Sequence, residues 1–137
     1  MLFAQESDYA MRIVRALKDG EKRKLKEISQ MEDIPEAFGY KISKKLEKAG
    51  IIEIKRGASG GYTLKTPLDA LTLYDIIVAI EPDFEIRACV NASCSRNTAD
   101  HPCHVHEEIL DIQREVEKLL QKKSMEEIFR EEKKKED

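Results

Sequence analysis

At 137 residues the chain is long enough for one compact core with an appended helix and too short for two large domains. Hydrophobic residues make up 41% and charged residues 37%, the balance of a helix-rich protein with a thin core, and no apolar run nears the ~20 residues that span a bilayer. The opening MLFAQESDYAMR has neither a basic leader nor an apolar stretch, so the expected location is the cytoplasm, with no membrane partner.

The net charge of −3 conceals an asymmetry: residues 1–67 sum to +4 and the remainder to −7. A basic front half suits an anionic partner, although a helical surface rich in Lys and Glu would read the same way. The first helix is predicted from about Leu2 to Lys18, with Phe3, Ala10, Ile13, Val14 and Leu17 as its apolar stripe and Gly20 as its stop. A short second helix follows over roughly Leu25 to Met31 and turns Leu25 and Ile28 inward. Asp33 and Ile34 lead to Pro35, which suits the first turn of a third helix.

That third helix carries Phe38, Ile42, Leu46 and Ala49 at spacings of 4, 4 and 3, and Gly50 stands where a left-handed terminator belongs. Its Lys41, Lys44, Lys45 and Lys48 fall at i, i+3, i+4 and i+7 and share a second stripe. At ~100° per residue that stripe lies about a quarter-turn or more from the apolar one. One stripe can anchor the helix while the other meets phosphates.

Ile51 to Lys55 reads as a strand, RGASGG as a tight turn carrying Arg56 and Ser59, and Tyr62 to Lys65 as the returning strand. Helix, short helix, helix and basic-tipped hairpin is the order of a winged helix-turn-helix. The glycine-rich turn is no nucleotide loop, since no helix opens behind it and it lacks the Lys-Ser/Thr pair. Past Pro67, Leu71 to Ile80 reads as a fourth helix ended by Pro82. A long loop of little periodicity then holds all three cysteines, and such loops in compact domains tend to be functional or disordered. From about Pro102 a helix resumes, with Val105, Ile109, Ile112, Val116 and Leu119 spaced 4, 3, 4 and 3, the seam of a helix pair. That seam could fold back on its own domain or meet a two-fold partner. The almost wholly charged tail from Arg130 to Asp137 is expected to fray. The expected fold is therefore mainly α with a small β-hairpin wing. A winged helix-turn-helix DNA-binding domain occupies 1–81, a cysteine-containing sensor loop 82–103, and a dimerisation helix with a charged tail 104–137.

Cys89, Cys94 and Cys103 are odd in number and clustered, which favours a metal or redox site over a disulfide scaffold. Thiolates suit iron-sulphur clusters, and three from one loop need a fourth ligand from elsewhere. Uncommitted thiols, or a zinc site of mixed Cys and His ligands, are the competing readings, and the spacing forms no zinc finger. His101, His104 and His106 crowd the same place, and Cys103 and His106, at i and i+3 where a helix starts, share a face. No carboxylate pair, Ser/His/Asp set or nucleophile elbow points to catalysis or to a small-molecule substrate.

The run IPEAFGYKISKKLEKAGIIEIKRGASGGYTLKTPLDALTLYDIIVAIE closely resembles the BadM/Rrf family of bacterial transcription regulators. The likeness is carried by Ile34-Pro35 opening the third helix, Ala49-Gly50-Ile51-Ile52 closing it, and Arg56-Gly57 with Gly60-Gly61-Tyr62 in the wing. Thr72-Leu73, Asp75-Ile76 and Glu81 extend it, and Ser7-Asp8 and Ala10 fit as well. The resemblance implies a homodimer on a palindromic operator in double-stranded DNA, with recognition helices in successive major grooves and wings in adjacent minor grooves. Ala37, Tyr40 and Lys41 on the third helix and Arg56 on the wing occupy the matching positions. Lys41 and Lys44 would neutralise phosphates, Arg56 and its neighbour Ser59 would approach the minor groove, and Tyr40 could read a base edge or a thymine methyl. Gly39 departs from helix preference at a cost of roughly 1 kcal/mol relative to Ala. Tyr40 departs from the acidic residue of the family's iron-sulphur assembly regulator.

The resemblance further implies an iron-sulphur cluster, 2Fe-2S or 4Fe-4S, on Cys89, Cys94 and Cys103. Its fourth ligand would be His106, matching a C-x-x-H ending, or Asp8 of the partner subunit, matching the carboxylate of the family's nitric-oxide sensor. The C-x4-C-x8-C spacing is unusual for the family. The expected function is a DNA-binding regulator, acting as a repressor, that senses redox, nitric oxide or iron-sulphur status through that cluster. The alternative is a metal-free repressor of the same family controlled by a partner protein or small-molecule effector, as in cysteine metabolism.

Overall fold

The computed structural model describes residues 2–136; Met1 and Asp137, the outer ends of the first and last predicted segments, lie outside the described residues. Six helices and one hairpin follow in order among them: α1 (Gln5–Ala16), α2 (Leu25–Glu32), α3 (Glu36–Lys48), β1 (Ile52–Lys55), β2 (Gly61–Leu64), α4 (Leu73–Ile80), α5 (His104–Gln121) and α6 (Met125–Glu136). The helical content and the two-stranded antiparallel sheet are those of a winged helix fold.

Ala10, Ile13, Val14 and Leu17 of the predicted α1 stripe are fully buried, but the helix starts later than its apolar pattern suggested. Helix N-termini leave backbone donors without partners, and α1 has no local side-chain cap. The cap comes from Glu81, just past α4. Its Oε2 accepts the Ala4 N–H at 3.2 Å and the hydroxyl of fully buried Ser7 at 2.5 Å. Phe3 therefore lies outside the helix and packs on Phe84, with ring centroids 5.7 Å apart.

In α3 the buried residues are Gly39, Ile42, Ser43 and Leu46, whereas Phe38 and Ala49, predicted to face inward, are exposed. Gly39 explains the rotation. A Cβ there would stand 3.0 Å from Leu25 Cδ1, so its absence lets α3 settle closely on α2 along the Gly39–Ser43 side. The helix cost of glycine is thus offset by close packing. With the buried face centred there, the lysine stripe lies about 160° away at 100° per residue, nearly opposite the core.

The hairpin pairs Ile52 with Leu64 through to Lys55 with Gly61. An added bridge joins it to the segment before α2: Tyr62 N–H donates to the Arg23 carbonyl at 2.7 Å and Arg23 N–H to the Tyr62 carbonyl at 3.1 Å. The wing turn needs glycine at position 60, where a Cβ would meet the Lys55 carbonyl oxygen at 2.1 Å. Helix α4 opens on a capping box, in which Thr72 Oγ1 accepts the Asp75 N–H and Asp75 Oδ2 accepts the Thr72 N–H.

The C-terminal segment is not one helix. After α5 the chain turns, Met125 N–H donates to the Leu71 carbonyl at 2.7 Å, and Ser124 Oγ accepts the Glu127 N–H at the start of α6. Met125 and Phe129 join the core of α1, α3 and α4. The charged tail expected to fray from Arg130 is instead helical backbone as far as Glu136.

Replacing Glu81 with Ala would leave the Ser7 hydroxyl and the Ala4 N–H without their acceptor. The expected loss is about 1–3 kcal/mol in urea unfolding, with a smaller loss for Glu81→Gln, which still accepts. Equal midpoints for wild type and Glu81→Ala would show that this cap is not stabilising.

Candidate nucleic-acid interface and sensor loop

The outward face of α3 carries Ala37, Tyr40, Lys41 and Lys48, all exposed, with Lys44 half-buried between them. Lys44 Nζ sits 5.5 Å from the Tyr40 ring centroid and 4.0 Å from Glu47. Lys41 and Lys45 reach sideways to Glu6 of α1 at 3.2 and 3.1 Å. Hydrogen bonds from Lys45 first and Lys41 second hold the Glu6 carboxyl below the usual glutamate range. The predicted phosphate contact Lys41 is therefore already shared with a carboxylate.

Arg56 and Ser59 stand at the exposed wing tip, and the Arg56 guanidinium has no hydrogen bond or ion pair among the described residues. The tip itself is clasped from behind. Lys22 Nζ donates to the Ser59 carbonyl at 2.5 Å, and Lys24 Nζ to the Gly57 and Ala58 carbonyls at 3.1 Å each. The wing thus gathers Lys22, Lys24 and Arg56 at one place, raising its local positive charge. Sequence reading missed Lys22 and Lys24, because only the tertiary bridge from Arg23 to Tyr62 brings them there.

Arg12 orders the turn between α2 and α3. Its Nη1 donates to the Glu32 carbonyl at 3.0 Å, and its Nη2 pairs with Asp8 at 2.9 Å. Its Cζ lies 5.6 Å from the Tyr9 ring centroid. Asp8, the candidate ligand for a neighbouring subunit, thus already belongs to an ion pair, with its side chain about half exposed.

Residues 82–103 run as a loop with one short 3-10 turn, Ala88–Val90. The loop is fastened by a residue that sequence reading did not single out. Gln113 of α5, 3% exposed, accepts the Ile86 N–H at 2.8 Å and donates to the Phe84 carbonyl at 3.0 Å. The available signal was a glutamine set among the apolar positions of α5. Further along, Asn97 Oδ1 accepts the Cys103 N–H at 2.9 Å.

The three thiols are free; Cys89 and Cys103 are half-buried and Cys94 exposed. His101 and His104 are exposed, and His104 Nδ1 lies 3.6 Å from Glu107. His106 differs: its Nδ1 is buried without a hydrogen-bond partner, a condition shared only with the hydroxyls of Ser29 and Ser43 among the described side chains. By donor chemistry, three free thiols and an orphaned imidazole nitrogen fit a thiolate-held cluster. They are not gathered, however. Among the described residues no three His, Cys, Asp or Glu side chains are grouped so as to hold one metal ion.

The predicted seam of α5 divides in two. Ile109 and Val116 are half-buried, while Val105, Ile112 and Leu119 are 66%, 51% and 66% exposed. The helix presents His106 and Gln113 toward its own domain and that stripe of seven-residue spacing outward.

The fold and its faces define a winged helix-turn-helix transcriptional regulator of the DNA-binding kind. Residues 3–131 match the Rrf2 family, described as an iron-dependent transcriptional regulator, and the chain belongs to that family. Protein aau3 of Rhizobium meliloti is 31% identical over 110 residues, covering 72% of this chain and 71% of that protein. CymR, the global cysteine regulator of B. subtilis, shares the fold with a TM-score of 0.73 at 23% identity, over 92% of this chain and 94% of that one. IscR of T. potens does so with a TM-score of 0.65 at 20% identity, over 93% and 85%. No described helix is long and apolar enough to cross a membrane.

The Glu6 pairs have a pH signature. A carboxyl whose folded pKa is depressed contributes stability above its unfolded value and loses it as pH falls through the folded one. Wild type should exceed Glu6→Gln by less than about 1 kcal/mol near neutrality, since the pair is partly solvated. That gap should close as urea midpoints are followed below the usual glutamate range. A gap independent of pH would mean the carboxylate is not held by Lys41 and Lys45.

Proposed function

We propose that the protein is a cytoplasmic homodimeric repressor, not an enzyme, that binds a palindromic operator and senses redox, nitric oxide or iron-sulphur status through its cysteine loop. The observation that carries the sensing role is the buried, unpartnered Nδ1 of His106, three residues after Cys103 on a segment with three free thiols. Cys89, Cys94 and Cys103 would hold an iron-sulphur cluster, 2Fe-2S or 4Fe-4S, with His106 or Asp8 of the partner subunit as fourth ligand. Such a cluster supplies iron that reacts with oxidants and nitric oxide. Asp8 would have to leave Arg12 to serve, whereas His106 has no partner to give up.

The operator contacts fall to residues of two elements. Lys41 and Lys44 would neutralise phosphates, Ala37 and Tyr40 approach base edges, and Arg56 with Ser59 enter the minor groove. Val105, Ile112 and Leu119, with Ile109 and Val116 beside them, supply an apolar stripe suited to a second α5 across a two-fold axis. Gln113 then ties the loop that would change state to the helix that would set the spacing of the two readers.

The absence, among the described residues, of three candidate ligands grouped for one metal favours a second reading, in which the same fold is a metal-free repressor governed by a partner protein or small effector. CymR of B. subtilis, a global cysteine regulator, shares that fold.

Anaerobic reconstitution decides between the two. The first reading expects bound iron and sulphide and a visible absorption band that Cys→Ala at any of the three positions removes. His106→Ala and Asp8→Ala should separate the fourth ligands by which one loses or shifts that band. No bound iron, with the triple Cys→Ala variant retaining regulated DNA binding, would overturn the cluster and leave the second reading.

For the dimer, Ile112→Glu places a charge in the stripe and should give monomers in sedimentation that bind a half-site weakly. An intact dimer would mean that the outward face of α5 is not the interface.

A further inference from the structure

We propose that Phe38 is a specificity residue of the recognition helix, whose ring covers the 5-methyl group of a thymine in the operator; the proposal rests on the DNA-binding reading above. Sequence periodicity assigns Phe38 to the core, yet it is 48% exposed, on the third residue of α3. The first turn is the part of a recognition helix that contacts base edges in a helix-turn-helix.

Phe38 has no polar atom, so it can neither bind a phosphate nor hydrogen-bond a base edge. The apolar feature a major groove offers is the thymine methyl, and phenylalanine is among the side chains that meet it. The surroundings fit a nucleic acid better than an apolar partner, because Lys41, Lys44, Lys45 and Lys48 stand on the same outward half of the helix.

The ring is also held in place. It lies 6.1 Å from the Tyr9 ring at 44°, Tyr9 is faced by the Arg12 guanidinium at 5.6 Å, and Arg12 is bonded to the Glu32 carbonyl in the turn. A side chain braced against the helix-turn-helix turn reads position better than a freely rotating one. Tyr40, the residue expected from sequence to meet a methyl, is worse placed for it: Lys44 lies over its ring, and its hydroxyl needs a polar partner.

The test selects an operator from random duplexes with the full-length chain, then replaces each thymine singly by deoxyuridine, which removes only the methyl. At fixed salt, one position per half-site should weaken wild-type binding about fourfold, the value of one buried methyl-sized group. In Phe38→Ala that penalty should vanish while penalties at other thymines persist; Phe38→Leu should keep part of it, and serves if the alanine variant folds poorly. A penalty that survives in both variants, or no methyl dependence at any thymine, overturns the proposal. So does a changed sedimentation coefficient of free Phe38→Ala, which would place the ring against a second copy instead. Failure to select any specific sequence would overturn the DNA-binding reading and Phe38 with it, a result distinct from an operator indifferent to its methyls.

Discussion

Glu81 stands where three parts of the chain meet. It follows the last turn of α4, it precedes the cysteine loop, and its carboxylate takes the place of the missing cap on α1. A negative group is favoured at a helix N-terminus by the exposed N–H donors and the helix dipole, and here it arrives from 77 residues away in sequence. Because the acceptor is distant in sequence, the start of α1 depends on where α4 packs. The bond therefore fixes where Glu6, Asp8, Tyr9 and Arg12 stand relative to the recognition helix. The same contact leaves Phe3 outside the helix and packed on Phe84, so the entrance to the loop is tied to the reading domain by two hydrogen bonds to one carboxylate and by one aromatic contact.

From that fixed start, α1 acts as a keel beneath the recognition helix. Glu6 meets Lys41 and Lys45, Tyr9 meets Phe38, and Arg12 satisfies a carbonyl at the end of α2 that has no helical partner. Arg15 adds a pair with Glu32 at 2.5 Å, so two arginines of one helix brace the end of the next. Carbonyls at helix C-termini interact well with cations, and this one lies beside the left-handed Asp33, whose φ is 54°. The orientation of α3 thus depends on side chains of α1 as much as on the turn that connects it to α2. A displacement at the loop entrance has a physical route to the outward face of α3, through contacts rather than through proximity alone.

Elements set by local patterns were legible in the sequence. The hairpin followed from a glycine-rich turn between two short apolar strands, α4 from its apolar run and Pro82, and the fold order from both. What escaped depends on partners far along the chain. Phe38 fits the core by spacing, but Gly39 offers a flatter surface to Leu25, so the helix turns its glycine and serine inward and its phenylalanine out. Gln113 reads as a polar interruption of a seam, whereas its amide has the donor and acceptor needed to hold two backbone groups of a loop with no ladder of its own. The candidate ligands were legible by type, but their spacing in the loop says nothing about separation in space, and no three of them are grouped around one metal position among the described residues.

The return of α6 changes what α5 can do. Since Met125 and Phe129 lie in the core built by α1, α3 and α4, α5 is anchored at two points: at its middle by Gln113 and the loop, and past its end by the bond from Met125 to Leu71. A helix hinged at one point could swing away from its domain, but a helix held at its middle and past its end can move only with the elements that hold it. Leu71 immediately precedes Thr72, the cap of α4, and α4 is followed directly by Glu81, the cap of α1. Rotation of α5 against its own domain would therefore strain a closed circuit that runs through α4 to the start of α1. A stripe such as Val105, Ile112 and Leu119, mounted on a helix so constrained, fixes the relative placement of two recognition helices if a second copy covers it. Under that condition, small changes in the loop beneath Gln113 would alter the spacing of the readers, because the helix is tied to that loop at its middle and to the core past its end.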